Sequence, residues 1–167
     1  ATELLAGFSS GLNGQTRMYN YDADTRLTSI QAPGVQGLYY SYNANNEIVG
    51  ITNSRTAAAT QSYTYDNLSR LVTANNGDST GQNFAYDSVG NRISHTQNGQ
   101  TTTLNYEATS NRLISSSKLG LNRSWIYSNT GNSNGFTGAD GAAVGLSYDA
   151  FDRVNGSSRN GQTTYYI

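Results

Sequence analysis

Pairs of large apolar or aromatic residues, separated by one mostly polar residue, recur along this chain about every 21 residues. The second member of each pair is a tyrosine, at a spacing of 20 to 23 residues: Tyr21, Tyr42, Tyr65, Tyr86, Tyr106, Tyr127 and Tyr148. The first member lies two residues earlier: Tyr19, Tyr40, Tyr63, Phe84, Leu104, Trp125 and Leu146. A fixed period of this length is typical of one supersecondary unit stacked many times, so the whole chain is predicted to be a repeat array.

An acid or a polar substitute follows each tyrosine, and an arginine–aliphatic pair comes shortly after it. The residue after the tyrosine is Asp22, Asn43, Asp66, Asp87, Glu107, Ser128 or Asp149. The arginine position, five or six residues after the tyrosine, holds Arg26, Glu47, Arg70, Arg92, Arg112 or Arg153, and it precedes Leu27, Ile48, Leu71, Ile93, Leu113 or Val154. The second copy has Glu47 in place of the arginine, and the sixth copy, Tyr127 to Phe136, loses the pair altogether. The unit reads Y-x-Y-D-x-x-(G/N)-(N)-R-L.

This unit predicts a β-hairpin. Alternate residues of a strand share a face, so Tyr63 and Tyr65 point one way and Thr64 the other. The acid favours a turn, because its side chain can accept a hydrogen bond from the backbone two residues on. Gly90-Asn91 and Asn45-Asn46 supply residues that tolerate positive φ, and the arginine and aliphatic residue are expected to begin the return strand. Asn76-Gly77, Asn98-Gly99 and Asn160-Gly161 predict the hairpin turns that follow.

The chain is therefore predicted to be all-β, a meander of antiparallel hairpins. One proline in 167 residues suits paired strands, since proline cannot donate to the ladder. Seven repeats predict about fourteen strands, more than the ~10 that an open twisted sheet holds without curling, so the sheet is expected to curve. The two tyrosine columns are expected to form continuous ladders, on a face that the pattern does not identify.

Composition excludes several classes of protein. Many aromatic residues with a net charge of −1 argue against disorder, and the absence of a basic stripe argues against a nucleic-acid partner. Tyrosines could stack bases, but a ladder of cross-strand aromatic pairs is the stronger interpretation. No apolar run is long enough for a membrane span. The lack of cysteine fits a cytosolic protein or a bacterial exported protein that does not depend on disulfides.

No catalytic, cofactor or metal site is predicted. His95, the single histidine, has no nucleophile or orienting group near it in sequence. The repeated aspartates could suggest paired carboxylates of a glycosidase, but turn capping and a local ion pair with arginine explain them. Asp22-Ala23-Asp24 lacks the glycine and the closing glutamate of a calcium loop, and the turn at 138–141 is too short to cradle a phosphate. The chain is predicted not to be an enzyme.

Seven copies of the unit in register resemble the YD repeat of the Rhs family, with the fourth copy, residues 84–93, as an example. The family includes bacterial Rhs toxins, wall-associated YD proteins, the B and C subunits of insecticidal Tc toxins, and the teneurins. The resemblance implies a β-sheet that spirals into a hollow shell, which in the toxin members encloses a C-terminal toxin domain. It is carried by the structural positions Tyr21, Asp22, Arg26, Tyr42, Tyr65, Asp66, Arg70, Tyr86, Asp87, Gly90, Arg92, Tyr106, Arg112, Tyr127, Tyr148, Asp149 and Arg153.

The resemblance implies a secreted or cell-surface bacterial protein whose partners are the rest of its own shell, an enclosed toxin domain and proteins of a secretion apparatus such as type VI. Residues 1–167 are expected to form a single array within a longer chain, with 1–16 as part of a preceding repeat and 166–167 as the start of a further one. An extracellular module that binds carbohydrate or protein through exposed tyrosines is the alternative. The sequence that follows Ile167 would distinguish the two, since a closing region with an appended domain favours encapsulation.

Overall fold

The computed structural model describes residues 6–10, 15–138 and 140–166, with the side chains of 9, 10 and 15 left aside. Sixteen antiparallel strands follow one another in chain order. They are β1 Gly7–Ser10, β2 Gln15–Tyr21, β3 Leu27–Ala32, β4 Gln36–Tyr42, β5 Ile48–Asn53, β6 Gln61–Tyr65, β7 Leu71–Asn76, β8 Gly81–Tyr86, β9 Arg92–Gln97, β10 Gln100–Tyr106, β11 Leu113–Lys118, β12 Leu121–Tyr127, β13 Ser133–Thr137, β14 Ala143–Tyr148, β15 Val154–Arg159 and β16 Gln162–Tyr165. The all-β prediction is confirmed.

The strands belong to two compact units, residues 1–83 and residues 84–167. In the first unit each strand from β1 to β7 pairs with the next, and β7 pairs with the start of β8. A single short 3₁₀ turn, Ala57–Ala59, lies between β5 and β6. In the second unit each strand from β9 to β16 pairs with the next. Each repeat thus contributes an outgoing strand that ends at its column tyrosine and a return strand.

A β-bulge at six of the column tyrosines sets the register. In the third copy, Thr64 pairs with Thr73 but Tyr65 pairs with Leu71, so one residue of the return strand is skipped. The same shift occurs at Tyr21, Tyr42, Tyr106, Tyr127 and Tyr148. A bulge adds local twist and re-aims the side chain next to it. In most copies the arginine precedes the bulge, and the return strand begins at the aliphatic residue instead of at the arginine.

Two of the three predicted Asn-Gly hairpin turns are present. Asn98 and Gly99 have φ values of 52° and 73°, and Asn160 and Gly161 have 50° and 78°, as a two-residue turn of this hand requires. The prediction for Asn76-Gly77 is wrong in its turn type. There the backbone N–H of Ser79 donates to the carbonyl of Asn76, and Ser79 takes the positive φ of 66°. The longer turn forms because the N–H of Gly77 donates to the carbonyl of Thr60.

Each unit consists of one layer of sheet. Among the described residues no apolar side chain is buried, and the buried polar residue is Ser29, which is 3% exposed. Large side chains are covered by neighbours on the same face, since no second layer of helices packs over them. The column tyrosines are accordingly half-buried.

Candidate functional site

The turn after each column tyrosine is built around the acid. In the third copy Oδ1 of Asp66 accepts hydrogen bonds from the backbone N–H groups of Leu68 and Arg70, at 2.9 and 3.0 Å. Oδ2 of Asp66 accepts from Nε of Arg70 at 2.7 Å. The backbone N–H of Ser69 closes the turn onto the carbonyl of Asp66, and Ser69 adopts a φ of 60°. One carboxylate therefore satisfies three donors and fixes both the turn and its arginine.

The predicted acid–arginine pair forms in the first, third and seventh copies. Asp22 and Arg26, Asp66 and Arg70, and Asp149 and Arg153 are each joined at 2.7 Å. In the fifth copy, whose turn is one residue longer, Arg112 lies 3.8 Å from Glu107, and Ser110 donates to the Glu107 carboxylate. The extra residue moves the acid away from the arginine.

In the second copy the donor and the acceptor of the side-chain pair are exchanged. Nδ2 of Asn43 donates to Oε2 of Glu47 at 2.6 Å, and Oδ1 of Asn43 still accepts from the backbone N–H of Glu47. The second carboxylate oxygen of Glu47 is buried without a hydrogen-bond partner. The turn is preserved, but an unsatisfied buried oxygen costs stability.

Restoring the consensus pair is expected to stabilise the second copy. Asn43→Asp with Glu47→Arg should raise the free energy of unfolding by up to about 1 kcal/mol, because the buried oxygen is removed and an ion pair forms. Urea unfolding of the double variant and of Asn43→Asp alone measures the effect. The single variant places two carboxylates together and should be less stable than the starting protein. A double variant less stable than the single one would contradict the assigned pairing.

The fourth copy corrects the assignment of Arg92. Asn91, not Arg92, takes the place of the arginine: its backbone N–H donates to Oδ1 of Asp87 at 2.8 Å, and its Nδ2 donates to Oδ2 at 2.9 Å. Arg92 begins β9, at the position of the aliphatic residue, and its guanidinium lies 5.8 Å from the Phe84 ring centre. The place that a residue takes in the turn depends on its separation in sequence from the acid. The extra asparagine therefore moves Arg92 one place further along, out of the turn and into the strand. Asn132 and Ser133 fill the same two places in the degenerate sixth copy.

The column tyrosines link each repeat to the one before it. The hydroxyl of Tyr65 donates to the backbone carbonyl of Ile48 at 2.8 Å, which begins the return strand of the preceding repeat. Five hydrogen bonds of this kind, 2.7 to 3.1 Å long, are present within the two units: Tyr42 to Leu27, Tyr65 to Ile48, Tyr106 to Arg92, Tyr127 to Leu113 and Tyr148 to Ser133. The bulge frees these carbonyls from regular ladder pairing. The second tyrosine column is therefore linked from repeat to repeat by these hydrogen bonds.

A second link between repeats was not predicted from the sequence. The side chain four residues after the acid reaches the residue of the next turn that stands 20 positions later: Arg26 donates to Asn46 at 2.6 Å and Asn132 to Asp152 at 2.8 Å. Asn91 donates to Asn111 at 3.1 Å in the same way. Arg26 and Arg112 also lie over the next column tyrosine, at 4.9 Å from the Tyr42 ring centre and 5.7 Å from the Tyr127 ring centre. A repeated spacing of polar side chains was the signal that could have revealed this contact.

The turn carboxylates are held ionised by their hydrogen bonds. The backbone N–H of the residue four positions on, followed by the arginine side chain, lowers the pKa of Asp22, Asp66 and Asp149 against the opposing effect of burial. The Thr80 hydroxyl lowers the pKa of Asp78, and the backbone N–H of Ala142 lowers that of Asp140. Burial raises the pKa of the Tyr65 hydroxyl, and the charge of Glu47 adds to this.

These pKa shifts predict that the folded protein loses stability in two separate pH ranges on acidification. A carboxylate with a lowered pKa in the folded state stabilises the protein above its unfolded pKa of about 3.9, and this stabilisation is lost as the pH falls through the folded value. His95 also has a lowered pKa, so the stability contributed by its neutral form is lost as the pH falls below about 6.5. Melting temperature against pH should be level at neutrality, decline slightly below about 6.5 and fall steeply below about 4. His95→Gln should remove only the upper decline; a profile that rises on acidification would contradict the assignment.

His95 lies on a return strand without catalytic geometry. Its ring is stacked on Phe84, with ring centres 4.9 Å apart and planes 8° from parallel. Burial, followed by the charges of Arg92 and Lys118, lowers its pKa. Within the described part of the chain, no three residues of histidine, cysteine, aspartate or glutamate gather as metal ligands. No helix of the described residues is long and apolar enough to cross a membrane.

The faces of the strands differ in chemistry. Away from the bulges, one face carries the tyrosine columns and is called the tyrosine face. The other, the hydroxyl face, carries mainly serine, threonine, asparagine and glycine, with a few exposed large side chains such as Tyr39, Ile126 and Tyr165, and none of its residues in the described strands is charged. Cross-strand hydroxyl pairs cover it: Thr64 with Thr73, Thr96 with Thr101, and Ser124 with Thr137, at 2.7, 2.7 and 3.0 Å. The grooves lined by Asp87 to Asn111 and by Gln31 to Arg55 are shallow and open to solvent.

No protein-family model and no curated protein matches the sequence. Solved structures do match its fold. One is a Tc holotoxin pore of Photorhabdus luminescens carrying the mutation TccC3-D651A, with a TM-score of 0.77 and 12% identity over 90% of this chain and 9% of that chain. The complex TcdB2-TccC3-TEV matches with a TM-score of 0.74 and 13% identity over 90% of this chain and 10% of that one. The chain thus spans about a tenth of the solved chains it matches. It has the fold of these Tc toxin proteins, and the YD-repeat resemblance of its sequence is confirmed at the level of fold.

Proposed function

We propose that this chain is a wall segment of a YD-repeat shell that encloses a C-terminal toxin or effector domain for secretion and delivery. The observation that carries the proposal is the repeat-to-repeat bonding. Each column tyrosine in the series described above ties its own repeat to the backbone of the preceding one, as in the Tyr65–Ile48 bond of 2.8 Å. Such bonding ties successive repeats within each unit to one another, which is what a container wall requires.

The strand arrangement within each unit supports the same role. Neighbouring antiparallel strands are rotated relative to one another, and the curved wall of a shell needs such a twist. The partners of this chain would be further repeats of the same shell, the enclosed domain and the proteins that export it. The protein would act outside the bacterial cell. The shared fold with Tc toxin structures supports this proposal.

Limited proteolysis of the full-length protein tests enclosure. A C-terminal domain inside a closed shell should resist protease and remain non-covalently associated with the shell fragments, as native mass measurement would show. The same domain expressed alone, without the repeats, is the control and should be degraded quickly. Equal rates of degradation for the free and the attached domain would contradict encapsulation.

A neutral-carbohydrate-binding role is a second candidate, and the hydroxyl face supports it. Tyr39 is 44% exposed on this uncharged face and lies directly over Gly37. Aromatic rings among hydroxyl and amide groups are common in sugar-binding surfaces. Retention on neutral polysaccharide that is lost in Tyr39→Ala would favour this role, and absence of retention would exclude it.

A further inference from the structure

Three exposed cations of the second unit, Arg92, Lys118 and Arg123, form no ion pair with a described residue. Arg92 lies over the Phe84 ring, whereas Lys118 and Arg123 flank one turn. The arginines Arg112, Arg153 and Arg159 form ion pairs with Glu107, Asp149 and Asp140. The turn that Lys118 and Arg123 flank joins β11 and β12. These two positive charges are therefore available to a ligand.

The strand register brings the two charges together on the tyrosine face. Lys118 pairs with Leu121 and Arg123 pairs with Ser116, so Lys118 and Arg123 are diagonal neighbours on adjacent strands. Diagonal neighbours of this kind are roughly 7–8 Å apart. Across the other edge of β11, Lys118 pairs with Thr102, which in turn pairs with His95. One cross-strand row thus carries both Lys118 and His95.

No carboxylate on these strands offsets the charge. The strands β9, β10, β11 and β12 contain no aspartate or glutamate. The acid of the neighbouring turn, Asp140, is taken by Arg159. Burial, followed by the charges of Arg92 and Lys118, lowers the pKa of His95, so positive charge in this row acts in the same direction as burial.

An aromatic and an aliphatic side chain flank the two cations. Trp125 follows Arg123 by two residues on the same strand and so shares its face. It is half-buried beside Phe136, its partner on β13. Leu121 is 55% exposed. Cations next to a partly exposed indole and an exposed leucine form a surface that combines charge with apolar contact, as protein interfaces do.

We propose that Lys118, Arg123, Leu121 and Trp125 form a docking surface for an extended, carboxylate-rich polypeptide segment. Alternate side chains of an extended peptide are roughly 6.6–6.8 Å apart, close to the spacing of Lys118 and Arg123, so acids at every second position match the two cations. Intervening apolar side chains would contact Leu121 and Trp125. A nucleic acid is less well matched, because tight binding usually rests on about 6–10 phosphate contacts and the surface supplies two full charges. This surface does not depend on the proposed shell role.

Trp125 is the only tryptophan of the chain and reports directly on this surface. A peptide of about ten residues with alternating glutamate and serine is titrated into the 167-residue chain while tryptophan fluorescence is followed. We expect saturable binding that weakens with added salt. A glutamine–serine peptide of the same length should leave the fluorescence unchanged.

Two double variants of equal charge loss provide the control. Lys118→Gln with Arg123→Gln should weaken binding by roughly ten-fold or more, because the paired charges are removed. Arg17→Gln with Arg55→Gln removes two cations from the first unit and should leave the affinity within about two-fold. Circular dichroism establishes that both variants are folded. Absence of binding, or equal losses in the two variants, would overturn the proposal. Tighter binding of oligothymidylate than of the acidic peptide would also overturn it, in favour of a nucleic-acid surface.

Discussion

Replacement of Tyr65 by alanine is expected to lower the free energy of unfolding by about 2–3 kcal/mol. Truncation of a fully buried aromatic residue typically costs about 3–5 kcal/mol, and Tyr65 is only half-buried on a single-layer sheet, which reduces that term. The lost hydroxyl adds to the cost, because it donates to the Ile48 carbonyl at 2.8 Å and leaves that acceptor without its partner. Urea unfolding followed by circular dichroism measures the change.

Two variants separate the ring from the hydroxyl and from general effects of tyrosine loss. Tyr65→Phe keeps the ring and should cost about 1 kcal/mol, the usual value of one hydrogen bond. Tyr165→Ala removes a tyrosine that is 75% exposed on the hydroxyl face and should change stability by no more than about 0.5 kcal/mol. Equal costs at Tyr65 and Tyr165 would mean that the column is not a structural ladder.

Most of the fold could be predicted from the repeat spacing of the sequence. Tyrosines at a fixed spacing predict the strands, because each hairpin of a repeat array places its aromatic residues at the same two positions. The acid predicts the turn because its carboxylate has a local partner, the backbone two and four residues on, as in Asp66 with Leu68 and Arg70. Even the final motif follows the rule, for Tyr166 donates its backbone N–H to Asn155 and continues the first column of the pattern. Local, repeated interactions of this kind are readable from one chain.

Features that depend on a neighbouring strand or turn were not predictable in the same way. Residue type suggested that Arg92 is an arginine of the turn, whereas the bulge assigns that place to Asn91. Asn76-Gly77 reads as a two-residue turn, but a contact with Thr60, 17 positions away, selects a longer one. Leu119 adopts a φ of 52° ahead of Gly120, a conformation that a bulky residue rarely takes and that composition does not reveal. In each case a contact from outside the repeat, or a backbone constraint, overrides the local preference.

The uncharged hydroxyl face and the cationic surface of β11 and β12 can also be recognised only once the register of the strands is known. Lys118 and Arg123 are five residues apart in sequence, on either side of a turn, and the charge count of the chain is nearly balanced. Only the pairing of Ser116 with Arg123 shows that the two cations share a face. A near-neutral composition can therefore conceal a local concentration of charge, because five of the arginines are paired with nearby acids: Arg26, Arg70, Arg112, Arg153 and Arg159.

Replacement of Gly77 by alanine is expected to lower the free energy of unfolding by about 3 kcal/mol. A methyl group at this position would lie 1.9 Å from the carbonyl oxygen of Ala57 and 2.9 Å from its carbonyl carbon. Both are backbone atoms of the 3₁₀ turn Ala57–Ala59, which is fixed to the same place by the hydrogen bond of 2.7 Å from Gly77 to Thr60. The clash can be relieved only if the connection between β5 and β6 moves away and this bond lengthens or breaks.

Gly81→Ala in the same hairpin is the matched control. There the new methyl group would meet the side-chain oxygen of Asn75 at 2.3 Å, but Asn75 is exposed and can rotate aside, so the cost should stay below about 1 kcal/mol. Urea unfolding gives the two values, and amide hydrogen exchange at residues 57–61 should speed up in Gly77→Ala only. Because the contact joins a connection to a turn of the following repeat, the exchange data locate the damage between repeats rather than within a hairpin. Equal stability of the two variants would show that the 3₁₀ connection is not held against the turn.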